Sequence, residues 1–289
     1  MNTNNLTHTT DEYKFHNFSS VAKINRFLHI TGRRSNGYHE LQTVFQFLDF
    51  GDDLRFRLRN DSNVNLLTPI DGVDNDSNLI VKAAKMLQQQ SNTSKGVDIE
   101  LVKRLPMGGG LGGGSSNAAT TLLALNKIWN TQFSIDRLAE MGLALGADVP
   151  VFVRGKTSFA EGVGEFLTPI AVDNPWFLVT IPNCSIATGP IFQHPELPRN
   201  TAKLAINEIN IEQCRNDFEK LVRKTYPEVE KTIAWLLEYA PSRLTGTGAC
   251  VFSIFANKAD AEKVQNLLPT GTKSFVARGL SQSPILNEL

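Results

Sequence analysis

One segment constrains this chain more than any other: Pro106-Met-Gly-Gly-Gly-Leu-Gly-Gly-Gly-Ser-Ser-Asn-Ala-Ala119, in which six of the seven residues from Gly108 to Gly114 are glycine. Without Cβ atoms such a loop can lie directly on a ligand and take backbone conformations that side chains exclude. Its flanks decide how to read it. Upstream, Gly96-Val-Asp-Ile-Glu-Leu-Val-Lys103 alternates apolar and polar residues and predicts a half-buried strand. Downstream, Ser115-Ser-Asn-Ala-Ala-Thr-Thr-Leu-Leu-Ala-Leu-Asn126 predicts a helix opened by capping residues. The loop's N–H groups then converge with the unpaired N–H groups of the first helical turn, and the positive end of the helix dipole stands behind them. That is an anion site, and phosphate is the anion that suits it.

Three glycine-loop types compete for this segment. A P-loop needs a Lys-Ser or Lys-Thr pair after its last glycine, whereas Gly114 is followed by Ser115 and Ser116. A dinucleotide fingerprint can be traced through Gly108, Gly110 and Gly113, but glycine is so dense here that the match is nearly automatic. The acidic residue that such a site needs about twenty residues on falls at Asp136, in Ser134-Ile-Asp-Arg-Leu-Ala-Glu140, which reads as a helix start rather than a strand end. A flexible linker does not place a proline before the glycines and an amphipathic helix after them.

The third type is the glycine loop of the galactokinase, homoserine kinase, mevalonate kinase and phosphomevalonate kinase (GHMP) superfamily, which this pattern of proline, glycines, serines and alanine resembles. Two more segments support the match in the right order: Ala22-Lys-Ile-Asn25 near the N-terminus and Ser242-Arg-Leu-Thr-Gly-Thr-Gly-Ala-Cys-Val-Phe252 near the C-terminus. Within the superfamily the resemblance is to a branch whose members phosphorylate a diphosphocytidyl sugar alcohol. It is carried by Phe27-Leu-His-Ile-Thr-Gly-Arg-Arg-Ser-Asn-Gly-Tyr-His-Glu-Leu-Gln-Thr43, Gly146-Ala-Asp-Val-Pro-Val-Phe152, Pro195-Glu-Leu-Pro-Arg-Asn-Thr201 and Phe275-Val-Ala-Arg-Gly279. Arg26 and Val21 depart from the family pattern, which has an apolar residue and a proline there.

The chain carries 29 basic and 29 acidic residues, so no bulk charge draws it to nucleic acid or an anionic membrane. Any substrate is held by a local site. Cys184, Cys214 and Cys250 are scattered and odd in number, which points to reduced thiols, and no metal-ligand spacing joins them to the histidines. Neither a signal peptide nor an apolar run of the ~18 residues of a membrane span is visible, so the expected location is the cytoplasm.

At 289 residues the chain suits about two domains. The expected division is a disordered extension over residues 1–20, an ATP-binding domain over 21–158 and a substrate-side domain over 159–289, the last dozen or so residues returning to the first domain. Expected elements in the first domain are a strand at Lys23–His29, an alternating stretch at Asp53–Leu58 and a helix at Asn78–Gln89, besides the glycine loop and the helix after Ser134. In the second they are a strand at Trp176–Ile181, a helix at Pro227–Tyr239, a strand at Cys250–Phe255 and a helix at Lys258–Leu267. The pattern makes the fold class α+β; the resemblance adds two domains with the active site in the cleft between them.

The implied reaction is transfer of the γ-phosphoryl group of ATP to a hydroxyl, which asks the protein mainly for positioning and charge stabilisation. Carried onto this sequence, the resemblance makes Asp148 the general base and Lys23 its charged neighbour, although each alone reads as a turn aspartate and a strand lysine. Nucleotide binding falls to Pro106, Gly108, Gly109, Gly110, Leu111, Gly112, Gly113 and Gly114, to Ser115 and Ser116 at the helix start, and to Lys103, Asn78 and the second glycine turn at Gly246, Thr247 and Gly248. The diphosphocytidyl group needs an aromatic pocket: Tyr38 and Phe192 are candidates to stack the base, His39 to read its edge, and Asn25 and Thr188 to place the substrate, while Phe192 alone reads as a core residue and His194 as structural. Magnesium is expected to arrive with the triphosphate, and no protein metal ligand is assigned.

Overall fold

The computed structural model describes residues 14–289. Its backbone is a long antiparallel hairpin, β1 (His16–Arg33) against β2 (His39–Arg59). β1 begins inside the segment expected to be disordered. The polar surroundings hide Phe18, which is buried and meets Phe56 edge-on at 5.8 Å, while Phe15 lies under the guanidiniums of Arg55 and Arg57. One buried aromatic contact and one half-buried cation–π cluster hold what the composition alone leaves free.

β3 (Val64–Leu66) runs parallel to β4 (Gly96–Val102), and β4 pairs with the far half of β2. Between them α1 (Leu79–Ser91) is capped by Asn78, whose Oδ1 accepts from the Ile80 N–H. α2 (Gly113–Ile128), α3 (Ile135–Leu145) and the short α4 (Val149–Arg154) complete the first layer. Their apolar faces close on the strands around Leu54, Phe56, Leu122 and Phe152. β5 (Ser158–Glu161) adds to β2 at Thr43–Phe45 and carries β6 (Phe166–Pro169).

β7 (Trp176–Ile181) opens the second layer, followed by α5 (Thr188–Gln193), α6 (Glu219–Thr225), α7 (Pro227–Leu237), β8 (Ser242–Leu244), β9 (Val251–Phe255), α8 (Lys258–Leu267) and β10 (Lys273–Leu280). β10 lies between β7 and β2, and its Gly279–Leu280 end pairs with Phe47–Leu48, so the ten strands form one hydrogen-bonded network. α9 (Ile285–Glu288) then lies against the first layer. Ile285 joins that core, and the Glu288 carboxylate accepts from the N–H and hydroxyl of Ser19.

A separate apolar cluster sits where the layers meet. Ala22 and Ile24 of β1 and Leu105 and Leu111 of the glycine loop pack with Phe177, Cys250 and Phe252. Burying a leucine is worth about 1.5–3 kcal/mol, so Leu105 and Leu111 anchor both ends of the loop to the second layer. Arg26, at a position expected to be apolar, is buried here too: its Nη1 donates to Gln46 Oε1 at 2.7 Å and Asp173 Oδ1 at 3.0 Å, and its guanidinium lies over Phe177. No described helix is long and apolar enough to cross a membrane.

Candidate active site

The glycine loop is anchored by a buried carboxylate that local sequence patterns do not mark. Asp52, on β2, accepts from the N–H groups of Arg104 and Leu105 at 2.8 Å each, from Lys103 Nζ at 2.5 Å and from Asn117 Nδ2 at 3.1 Å. It ties the strand before the loop to the helix after it. The available signal was weak: Asp52 is one of several charged residues in β2, beside Asp49, Asp53 and Arg55.

Within the loop, the glycines serve two purposes. A Cβ on Gly110, at φ +77°, would stand 2.2 Å from the Thr245 carbonyl oxygen, and one on Gly109 would stand 2.6 Å from Cys250 Sγ. These positions are glycine because another part of the protein occupies the space. At Gly114 a Cβ would meet nothing closer than an ordinary contact, Leu79 Cδ1 at 3.7 Å. α2 starts at Gly113, two residues earlier than the capping serines suggest, so Gly113, Gly114 and Ser115 supply the unpaired N–H groups of its first turn. They border a pocket of about 360 Å³ whose apolar wall is Ile70, Val73, Leu79 and Met107.

At the loop's inner end stands the ion pair. Lys23 Nζ lies 3.3 Å from Asp148 Oδ2 and donates to Asn25 Oδ1 at 2.6 Å and to the Gly110 carbonyl at 3.1 Å. The Lys23 side chain is 3% exposed and that of Asp148 33%, so the carboxylate forms the open side of the pair. Asp148 precedes α4 without capping it, so no N–H of that helix occupies its carboxylate. Pro150 sits in the first turn of α4, where its missing N–H costs nothing.

Asn25 is held from both sides. Its N–H donates to Thr245 Oγ1 at 3.0 Å, and its Nδ2 donates to Thr43 Oγ1 at 2.9 Å. Thr43 and Thr245 lie inside the motifs that carry the resemblance, but a single hydroxyl does not reveal its partner in the sequence. The second glycine turn touches the first, since a Cβ on Gly246 would lie 3.2 Å from Gly110 Cα and 3.5 Å from Asn25 Oδ1. Thr247 Oγ1 lies 3.2 Å from Thr188 Oγ1, at the start of α5. Further along the cleft, the His39 ring meets that of Phe192 at 5.1 Å, and Phe192 in turn meets Phe218 at 4.8 Å. Tyr38, by contrast, is 62% exposed and makes no ring contact among the described residues.

The family model for the GHMP kinases N terminal domain matches residues 78–156, and that for the GHMP kinases C terminal region matches 194–270. A 4-diphosphocytidyl-2-C-methyl-D-erythritol kinase of Pseudoalteromonas atlantica is 54% identical over 270 residues, covering 93% of this chain and 94% of that protein. The chain belongs to the GHMP kinase family. An enzyme of the same name from Colwellia psychrerythraea is 55% identical to this GHMP kinase over 273 residues, 93% of this chain and 91% of that one. Among solved structures, a 4-(cytidine 5'-diphospho)-2C-methyl-D-erythritol kinase superposes with a TM-score of 0.81 at 28% identity, covering 91% of this chain and 99% of that one. A mevalonate kinase, at 16% identity and a TM-score of 0.66 over 92% of this chain and 100% of that one, shares the fold.

Several residues of this GHMP kinase stand differently from the sequence expectation. Ser116 does not reach the pocket: it is buried, and its hydroxyl donates to the Val21 carbonyl at 2.7 Å, which fastens α2 to β1. Asn78 borders the pocket, but its Oδ1 is spent on capping α1. Lys103 also borders the pocket, with its ammonium already paired to Asp52. His194, by contrast, fits the structural role expected of it: its Nδ1 accepts from the Glu196 N–H at 3.2 Å. Burial and, after it, the charges of Arg199 and Arg33 push the His39 pKa down. Among the described residues no cluster of three or more acidic, histidine or cysteine side chains could hold a metal.

Proposed function

We propose that this GHMP kinase transfers the γ-phosphoryl group of ATP to the 2-hydroxyl of 4-diphosphocytidyl-2-C-methyl-D-erythritol, giving the 2-phosphate and ADP in the methylerythritol phosphate route to isoprenoids. The observation that carries it is the Lys23–Asp148 pair, which stands at the end of the glycine loop with its carboxylate side open. The relatives at 54% and 55% identity supply the substrate.

Each step has a residue. The N–H groups of Gly113, Gly114 and Ser115 hold the triphosphate at the positive end of α2, and the wall of Ile70, Val73, Leu79 and Met107 takes the adenine. The substrate hydroxyl lies against Asp148, whose carboxylate takes its proton as the oxygen bonds to the γ-phosphorus and the bond to ADP breaks. Lys23 faces the same point and offers positive charge to the transferring group. Asn25, clamped by Thr43 and Thr245, keeps Lys23 in place. The cytosine stacks between Phe192 and the exposed Tyr38, beside His39.

Magnesium neutralises triphosphate charge when bound. Ser115, which borders the loop pocket, would hold such an ion together with the triphosphate oxygens, and among the described residues no cluster of three or more acidic, histidine or cysteine side chains could hold a bare ion. The function is tested by ADP release with the diphosphocytidyl substrate against mevalonate and homoserine. Turnover confined to the first supports the assignment; turnover with either of the others replaces it.

A further inference from the structure

The arginine of the Pro195-Glu-Leu-Pro-Arg-Asn-Thr201 motif reaches His39. Arg199 Nε donates to His39 Nε2 at 3.1 Å. The rest of the guanidinium is held by carbonyl oxygens: Nη1 donates to Leu197 at 3.1 Å, and Nη2 to Phe192 at 3.2 Å and His194 at 2.8 Å. One side chain therefore grips both His39 and the backbone of Phe192, whose rings meet at 5.1 Å.

A guanidinium has five N–H donors and no acceptor, and it stays protonated in proteins. Opposite it, Nε2 of His39 must carry a lone pair. The imidazole proton then belongs on Nδ1, which meets no protein group among the described residues although the side chain is only 6% exposed. Nδ1 is not sealed from solvent as the orphaned Nδ1 of His29 is, so its N–H can donate to a ligand that enters the pocket. An imidazolium would set N–H against N–H, and burial and the charge of Arg199 also oppose it.

We infer that Arg199 is a positioning residue that locks His39 as the Nδ1–H tautomer and thereby selects cytosine over uracil in the base pocket. The inference rests on the diphosphocytidyl reading above. Cytosine offers an acceptor at N3, which an Nδ1–H donor satisfies, whereas uracil carries a hydrogen there and would oppose donor to donor. A site built to hydrogen-bond one group rejects the analogue that lacks it, because the site's own polar group is then left unpaired.

The test has two arms. Nitrogen-15 NMR of the histidine side chains in the ligand-free protein reads the tautomer directly: the wild type shows His39 protonated at Nδ1 and bare at Nε2, and Arg199→Met shifts the proton to Nε2. A wild-type His39 protonated at Nε2, or an unchanged tautomer in the variant, overturns the lock. The wild-type spectrum decides this arm even if the variant misfolds. Calorimetry with CDP and UDP is the second arm. The wild type prefers CDP, and Arg199→Met loses about tenfold in CDP affinity and most of the preference, as the loss of one hydrogen bond predicts. KM for the diphosphocytidyl substrate rises by a similar factor while kcat stays within about threefold, because Lys23 and Asp148 are untouched. A locked tautomer with equal binding of CDP and UDP overturns the selectivity. A locked tautomer with no binding of either overturns the cytidine reading itself.

Discussion

Lys23 Nζ stands 3.3 Å from Asp148 Oδ2 and 3.1 Å from the Gly110 carbonyl, so one ammonium joins the base, the glycine loop and the first strand. Replacing Asp148 with asparagine keeps the shape and removes the proton acceptor. We expect kcat to fall by about 10²- to 10⁴-fold while ADP binds within about threefold of wild type, measured by steady-state turnover and by calorimetry with ADP. Unchanged turnover would remove Asp148 from the mechanism.

Lys23→Met should reduce kcat by about 10²- to 10³-fold, the range seen when one transition-state donor is removed. Because Lys23 and Asp148 act on the same atoms, the double variant should lose far less than the product of the two single losses. Full multiplicativity in a double-mutant cycle would show that the two act independently.

The glycine loop was legible because its composition is extreme and its flanks have opposite periodicities. Trp176–Ile181 was legible as a short continuous run of strand-forming apolar residues, and Lys258–Leu267 as a run with helical spacing. β1 was read too short because Phe15 and Phe18 lie among polar residues, and it is their packing that orders His16–Ser20. Asp52, Thr43, Thr245 and Arg199 act through partners distant in the chain, and nothing next to them in the sequence announces those partners. Family motifs pointed to Lys23 and Asp148; spacing alone could not bring them together.

Gly110 and Gly114 should respond in opposite ways to alanine. Gly110→Ala puts a Cβ 2.2 Å from a backbone oxygen at φ +77°, and we expect a loss of stability on the order of 1–3 kcal/mol together with weaker ATP binding. Gly114→Ala lies in the first turn of α2 with space around it, so thermal stability should hold or rise by up to about 1 kcal/mol while KM for ATP increases. Thermal melts and ATP titrations of the pair separate the packing glycine from the ligand-facing one.

Asp52→Asn removes the carboxylate that draws Lys103 and Asn117 together under the loop. Breaking a fully buried pair costs about 3–5 kcal/mol. Lys103 is a quarter exposed, so about 2 kcal/mol is the expected loss in urea unfolding, with a raised KM for ATP as the loop loosens. A stability loss without any change in KM would confine Asp52 to the fold.

His29 and His39 both have pKa values lowered from the ordinary one, chiefly by burial. The unfolded chain therefore binds their protons first as pH falls, and stability is lost as pH drops through about 6.5 toward the lowered folded values. Urea midpoints should decline across that window, and the decline should be shallower in His29→Asn. A decline equally steep in that variant would clear His29 of the effect.

The central claim is most directly tested by measuring ADP release from ATP and magnesium with purified protein, offering 4-diphosphocytidyl-2-C-methyl-D-erythritol, mevalonate and homoserine in parallel, with Asp148→Asn as the control. The account predicts turnover with the diphosphocytidyl substrate alone, lost in the variant; a folded, ATP-binding protein that leaves that substrate untouched would contradict it.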